Sequence, residues 1–169
     1  DFSRSRGLGD VYKRQGPGIV ALCYEGLPWF TGAAVMSQAF PSLKIVLIAA
    51  LYAVGAHGIM TLNDFKALKG DKQTGINSLP VQFGANKAAK IACWVMTIPQ
   101  LLVVILMSSW GALEHAAFIS CLVLGQFLAM RKLLKDPQKF APWYNATGVL
   151  MFVLGMMVCA FGLRSFGAF

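Results

Sequence analysis

The sequence predicts an all-α, polytopic membrane protein, a transmembrane bundle of about five helices. Three observations carry this. Of 169 residues, 57% are hydrophobic and only 13% are charged, whereas a soluble domain carries about 25% charged residues. The mean hydropathy is +0.61. The apolar residues are gathered into five blocks separated by short polar runs. No block shows the strict polar–apolar alternation of a barrel strand, and lipid cannot satisfy free backbone groups, so the spanning elements must be helices. The net charge of +8 does not indicate nucleic acid as a partner, because the positive residues sit in runs between apolar blocks, where membrane topology puts them.

The blocks run over 18–36, 44–62, 87–107, 116–130 and 144–163. Each approaches the roughly 20 residues that a spanning helix needs. The fourth reaches that length if Glu114 and His115 sit at the interface. Pro28 and Pro99 fall inside blocks and are expected to kink their helices, whereas Pro41, Pro80 and Pro137 fall in expected loops. The stretches 64–90 and 131–139 are read as loops and hold nine Lys or Arg residues, against Lys44 and Arg164 on the other side. That imbalance puts both on the cytoplasmic face. The four cysteines lie inside apolar blocks without metal-site spacing and are read as small buried hydrophobes. Gly32, Ala33, Ala34, Gly55, Ala56 and Gly58 suit close helix packing.

Residues 1–15 are expected to be foreign to the fold. The run SRGLGDVYKRQ at 5–15 back-translates without a gap to the end of a transposon adapter used in sequencing libraries, so 16–169 is taken as the membrane domain. With an odd helix count and a helix beginning almost at Gly16, the chain is expected to be the C-terminal part of something longer.

The chemistry points to 63–72, NDFKALKGDK, where a polar run follows an apolar block without a spacer. Asp64 and Asp71 with Lys66, Lys69 and Lys72 suggest a metal ion and a phosphate held at the bilayer surface. On a continuous helix the two acids share a face about 10 Å apart along the axis, too far for both to touch one magnesium ion, whose ligands stand at about 2.0–2.1 Å. Either the backbone breaks, which Gly70 permits, or each acid serves a different ion or a bridging water. The lysines are read as phosphate point charges or as topological charges. His57, seven residues before Asp64, is a candidate by its intramembrane position. It ligates a bound tetrapyrrole's metal, hydrogen-bonds a substrate or is satisfied by a neighbouring helix. Glu25, beside Tyr24, is read as cavity-lining or helix-pairing.

The segments GIMTLNDFKALKGDKQTG at 58–75 and SLPVQFG at 78–84 resemble the second aspartate-rich motif of the UbiA-type intramembrane prenyltransferases. YEGLPWFTG at 24–32, WYNATG at 143–148 and GMMVCAF at 155–161 make the chain most similar to the (bacterio)chlorophyll synthases, on their bacteriochlorophyll side. The resemblance implies a nine-helix fold around a lateral cavity, of which about five helices are here. It implies transfer of a geranylgeranyl or phytyl group from its diphosphate to the C17 propionate of bacteriochlorophyllide. It further implies Mg²⁺ at Asp64 and Asp71, and diphosphate contacts from Asn63, Lys66 and Lys72. Tyr24, Glu25 and His57 become cavity or pigment candidates. The implied setting is a bacterial inner or intracytoplasmic photosynthetic membrane; no protein partner is identified. Ala67 stands where some relatives carry a further acid, and Lys72 where many carry arginine. The family's first aspartate-rich motif is missing, so this stretch alone is expected to be inactive. The alternatives are another prenyltransferase of the superfamily, acting on chlorophyllide or a quinone precursor, or a non-catalytic transporter or assembly subunit.

Overall fold

A computed structural model describes residues 18–165; the expected foreign leader, 1–15, lies outside the described residues. Helix α1 is Gly18–Ser37, α2 Leu43–Thr74, α3 Leu79–Phe83, α4 Ala85–Ser109, α5 Leu113–Leu133 and α6 Pro137–Ser165. No strand occurs among the described residues. Five of the six are long and apolar enough to cross a membrane, and the chain is a multi-pass membrane protein, as its composition predicts. Large apolar side chains such as Ile105, Leu124, Leu128 and Phe161 are exposed around the outside, where a soluble protein would carry charge.

Helices α2, α4, α5 and α6 form the bundle, and α1 packs against α2 alone among the described elements. The most extensive contact joins α2 to α4. Its closeness comes from small residues. A Cβ on Gly58 would lie 2.5 Å from the Ala92 carbonyl oxygen and 2.5 Å from Met96 Cγ, and Ala88, Ala89 and Ala92 are fully buried opposite. Van der Waals packing is what holds helices together in lipid, and small residues let backbones approach. Gly55 and Ala56 share this role as expected, whereas Gly32 faces open space with nothing within 4 Å.

The block boundaries need correction at the charged ends. The expected loop at 64–90 is helix as far as Thr74. Lys66, Ala67, Leu68 and Lys69 are all good helix formers, and Gly70 costs only about 1 kcal/mol in a helix interior. The stop is Gly75, in a left-handed conformation (φ 69°), whose N–H donates to the Asp71 carbonyl. Likewise the expected loop at 131–139 shrinks to 134–136, because α5 carries Arg131 and Lys132 in its last turn and ends at Leu133, and Pro137 opens α6. Pro80 and Pro137 therefore start helices rather than sit in loops, since a first-turn proline lacks only an N–H that would have no helical partner. Pro99 lies inside α4 as expected, and Pro142 lies inside α6. Ahead of Pro28, α1 contains a π-helical turn, Leu22–Gly26, a local rearrangement of the ladder beside a residue that cannot donate to it. Cys93 and Cys159 are buried, but Cys23 and Cys121 are exposed on the apolar outer surface, so only two of the four are buried packing residues.

Candidate functional site

At 32 residues, α2 is about 48 Å long, well beyond the roughly 30 Å of bilayer hydrocarbon. Its apolar part ends at Leu62, so the last dozen residues project past the lipid as a continuous helical arm. Gly70 does not break that arm. The open question about the two acids is thereby decided: Asp64 and Asp71 stand two turns apart, about 10.5 Å along one axis and on one face.

That face looks inward. Thr61, Phe65 and Asp71 are buried and His57, Asp64 and Leu68 half-buried, while Asn63, Lys66, Lys69 and Lys72 are exposed. With about 100° of turn per residue, Lys66 lies about 160° around the axis from Asp64 and Lys72 about 80°. The helix thus aligns His57, Asp64 and Asp71, keeps Lys72 on their flank and sends Lys66 to the opposite side. Among the described residues neither acid has an ion-pair partner. Two like charges on a partly desolvated stripe repel, and a buried carboxylate without a counter-charge is costly. A cation beside the stripe would relieve both costs.

Two neighbours hold the arm. The short helix α3 packs on both α2 and α4, and the Ile76 N–H donates to the Asp71 carbonyl at 2.8 Å. On the other side, Asn145 of α6 donates from Nδ2 to Asn63 Oδ1 at 2.9 Å, one residue from Asp64. Asn145 is the residue that sequence reasoning missed. It lies in WYNATG, yet nothing local distinguishes it from a helix-packing polar group. Its own Oδ1 is buried and has no partner. Lys132, at the end of α5, stands 3.9 Å from the Trp143 ring centroid and fastens the start of α6 to α5.

The described residues contain no group of three or more His, Cys, Asp or Glu side chains able to enclose a metal. One ion cannot touch both acids across two turns of unbroken helix. The donor set does fit magnesium in its common mode, one carboxylate per ion with phosphate oxygens and water completing the shell.

The apolar candidates sit deeper. Gly26 of α1 packs on α2 at Ala53, where an added Cβ would be 3.3 Å from the Ala53 Cβ, and Trp29 stacks on Tyr52 with centroids 6.0 Å apart. Half-buried Glu25 is thus near the level of Ala53, and His57 is one turn further along α2. Tyr24 is exposed on the outer side of α1. His57 Nδ1 is buried without a partner, so the neighbouring helices do not satisfy it. Sequence reasoning also passed over Gln126, whose amide is fully buried and unpartnered among the described residues, and Gln100, fully buried beside Tyr52.

Residues 11–157 match the UbiA prenyltransferase family. The chain is 62% identical over 149 residues to the bacteriochlorophyll synthase 33 kDa chain of Cereibacter sphaeroides, covering 88% of this chain and 49% of that one. It is 53% identical over 154 residues to the protein of that name in Rhodobacter capsulatus, covering 89% and 51%. Against the chloroplastic chlorophyll synthase of Avena sativa it is 38% identical over 138 residues, covering 81% and 36%. The chain spans about half the length of the bacterial relatives it matches. No solved structure matches it.

Proposed function

Because the chain belongs to the UbiA prenyltransferase family, we propose that it is the diphosphate-gripping part of a membrane enzyme of bacteriochlorophyll synthesis. The reaction is transfer of a geranylgeranyl or phytyl group from its diphosphate to the C17 propionate of bacteriochlorophyllide. The fall in identity from the bacterial to the plant relatives supports bacteriochlorophyllide over chlorophyllide as acceptor. The observation that carries the reading is the inward stripe of α2, where Asp64 and Asp71 share one face at the membrane edge and neither is ion-paired among the described residues.

Asp64 and Asp71 are the residues that would hold magnesium, which when bound neutralises charge on the leaving diphosphate. Lys72 flanks the same stripe and supplies a fixed positive charge, and Asn63, held by Asn145, sets the rotation of the arm. Lys66 reaches a diphosphate only from the far side of the helix and contributes less than Lys72. As the allylic carbon–oxygen bond breaks, the apolar bundle below the arm keeps water from the cationic isoprenoid. The acceptor propionate needs no base, since an ordinary carboxyl with a pKa near 4 is already ionised at neutral pH. Among the described residues no nucleophile–base pair stands near the stripe, in keeping with that chemistry. The unpartnered His57 Nδ1, two turns into the membrane, is the group best placed to meet the pigment. The nine-to-two distribution of basic residues supports a cytoplasmic position for the acidic end, and the proposed setting is the inner or intracytoplasmic membrane.

The test is ester formation by the intact protein from geranylgeranyl diphosphate and bacteriochlorophyllide, with and without magnesium. Chlorophyllide and a quinone precursor serve as competing acceptors. Asp64→Asn and Asp71→Asn should each lower turnover by roughly 100-fold or more, the scale of losing one preorganised electrostatic group. Unimpaired esterification after both acids are neutralised would refute the assignment.

A further inference from the structure

Helices α4 and α5 enclose between them a cavity of 610 Å³, within the usual 300–1,000 Å³ range of small-molecule sites. Cys93, Trp94 and Thr97 of α4 form one wall, and Leu124, Phe127 and Leu128 of α5 the other. Thr97 turns its hydroxyl back onto the Cys93 carbonyl at 2.8 Å, which leaves the wall effectively apolar. Trp94, Leu124 and Leu128 are more than half exposed, so the groove opens on the outer surface of the bundle.

Only two charged side chains line it, Lys90 and Arg131, and both are exposed. Neither has an ion-pair partner among the described residues. Their level in the membrane follows from the hairpin geometry. Lys90 lies nineteen residues before Ser109 and Arg131 eighteen after Leu113. Both are therefore about 28 Å from the α4–α5 turn, close to the thickness of bilayer hydrocarbon. The two cations stand together at the headgroup level, above an apolar slot that descends into the acyl region, with Trp94 one turn below the rim.

We infer that this groove binds an anionic phospholipid, its phosphodiester between Lys90 and Arg131 and an acyl chain along the slot. Arginine offers a planar fork to phosphate oxygens and lysine a point charge. Basic pockets between helices at the membrane surface are suited to anionic headgroups. An allylic diphosphate is a poorer fit. It carries more charge and calls for a metal, and no acid lines the groove; Asp64 and Asp71 are elsewhere on α2. A zwitterionic headgroup brings its own cation against two positive side chains. The inference does not depend on the prenyl-transfer reading.

The protein, in nanodiscs or detergent, is exposed to equal amounts of phosphatidylglycerol and phosphatidylcholine, and retained lipid is counted by native mass spectrometry. One phosphatidylglycerol should be retained with a preference of roughly 10- to 30-fold, the scale expected for two basic groups at the surface. Lys90→Gln with Arg131→Gln should bring retention down to the phosphatidylcholine level. The charge-conserving pair Lys90→Arg and Arg131→Lys should keep most of it, and Asp64→Asn with Asp71→Asn should leave it unchanged. Phosphatidylglycerol with brominated acyl chains should quench a fluorescence component that disappears in Trp94→Phe. Equal retention of the two lipids, an unchanged preference in the neutralised pair, or displacement of phosphatidylglycerol by geranylgeranyl diphosphate would overturn the inference. The last result would assign the groove to the prenyl substrate.

Discussion

Replacing Gly58 by alanine tests the closest approach in the bundle. The new Cβ would meet the Ala92 carbonyl oxygen and Met96 Cγ, each at 2.5 Å, where ordinary contact begins at 3.4 Å. Met96 is a flexible side chain and can swing aside. The carbonyl belongs to the α4 backbone, so α2 and α4 must separate by close to 1 Å at their best-sealed contact. Overpacking of this kind costs about 1–3 kcal/mol, and the better helix propensity of alanine returns up to about 1 kcal/mol. A net loss of about 1–2 kcal/mol corresponds to a fall of roughly 2–8 °C in the unfolding midpoint for a chain of this size. Thermal unfolding in detergent, followed by far-UV circular dichroism, reads it. Adding Met96→Ala should relieve only part of the loss, because the carbonyl stays. Gly70→Ala, on the same helix, has nothing within 4 Å of the added Cβ and should stabilise by up to about 1 kcal/mol. If Gly58→Ala left the midpoint unchanged, the helices would not approach as closely as described. If Gly70→Ala lowered it, the arm would be broken at Gly70 and the two acids free to converge on one ion.

Asn145→Ala removes the donor to Asn63 and should cost roughly 0.5–1.5 kcal/mol; it should also raise the KM for the prenyl diphosphate more than it lowers kcat, because it loosens the arm rather than the chemistry. In magnesium-free buffer, Asp71→Asn should raise the unfolding midpoint slightly, since two carboxylates about 10 Å apart repel by on the order of 1 kcal/mol at a surface-like dielectric; a fall in midpoint would show that Asp71 is paired. Added magnesium and diphosphate should stabilise the wild type and not the Asp64→Asn, Asp71→Asn double variant, which differential scanning fluorimetry can follow. Lys132→Gln, which loses its contact with Trp143, should cost about 0.5–1 kcal/mol without changing turnover.

The five membrane-crossing helices were legible in the sequence because burial in lipid demands about 20 apolar residues in a row, a pattern that no distant contact needs to complete. The acids were legible for the same reason: Asp64 follows Leu62 with only Asn63 between, and charge at the end of such a run is conspicuous. The length of α2 was not. Hydropathy reports where lipid ends, not where the helix ends, so a polar arm held by α3 and capped at Gly75 read as a loop.

The partners of the arm were hidden in a different way. Asn145 reaches Asn63 across 82 positions of chain, and only the crossing of α6 on α2 brings them together. Lys90 and Arg131 read as topological charges until the α4–α5 hairpin set them at one level over a shared groove.

Residue chemistry in order along the chain thus determined the membrane class, the number of described spans and the identity of the acidic stripe, because each is a local balance of lipid, water and charge. The tertiary structure decided that the acids remain two turns apart, that they face inward while Lys66 does not, and which residue steadies them. Those outcomes depend on helix continuity and on which surfaces of neighbouring helices meet, and neither is a property of any short segment.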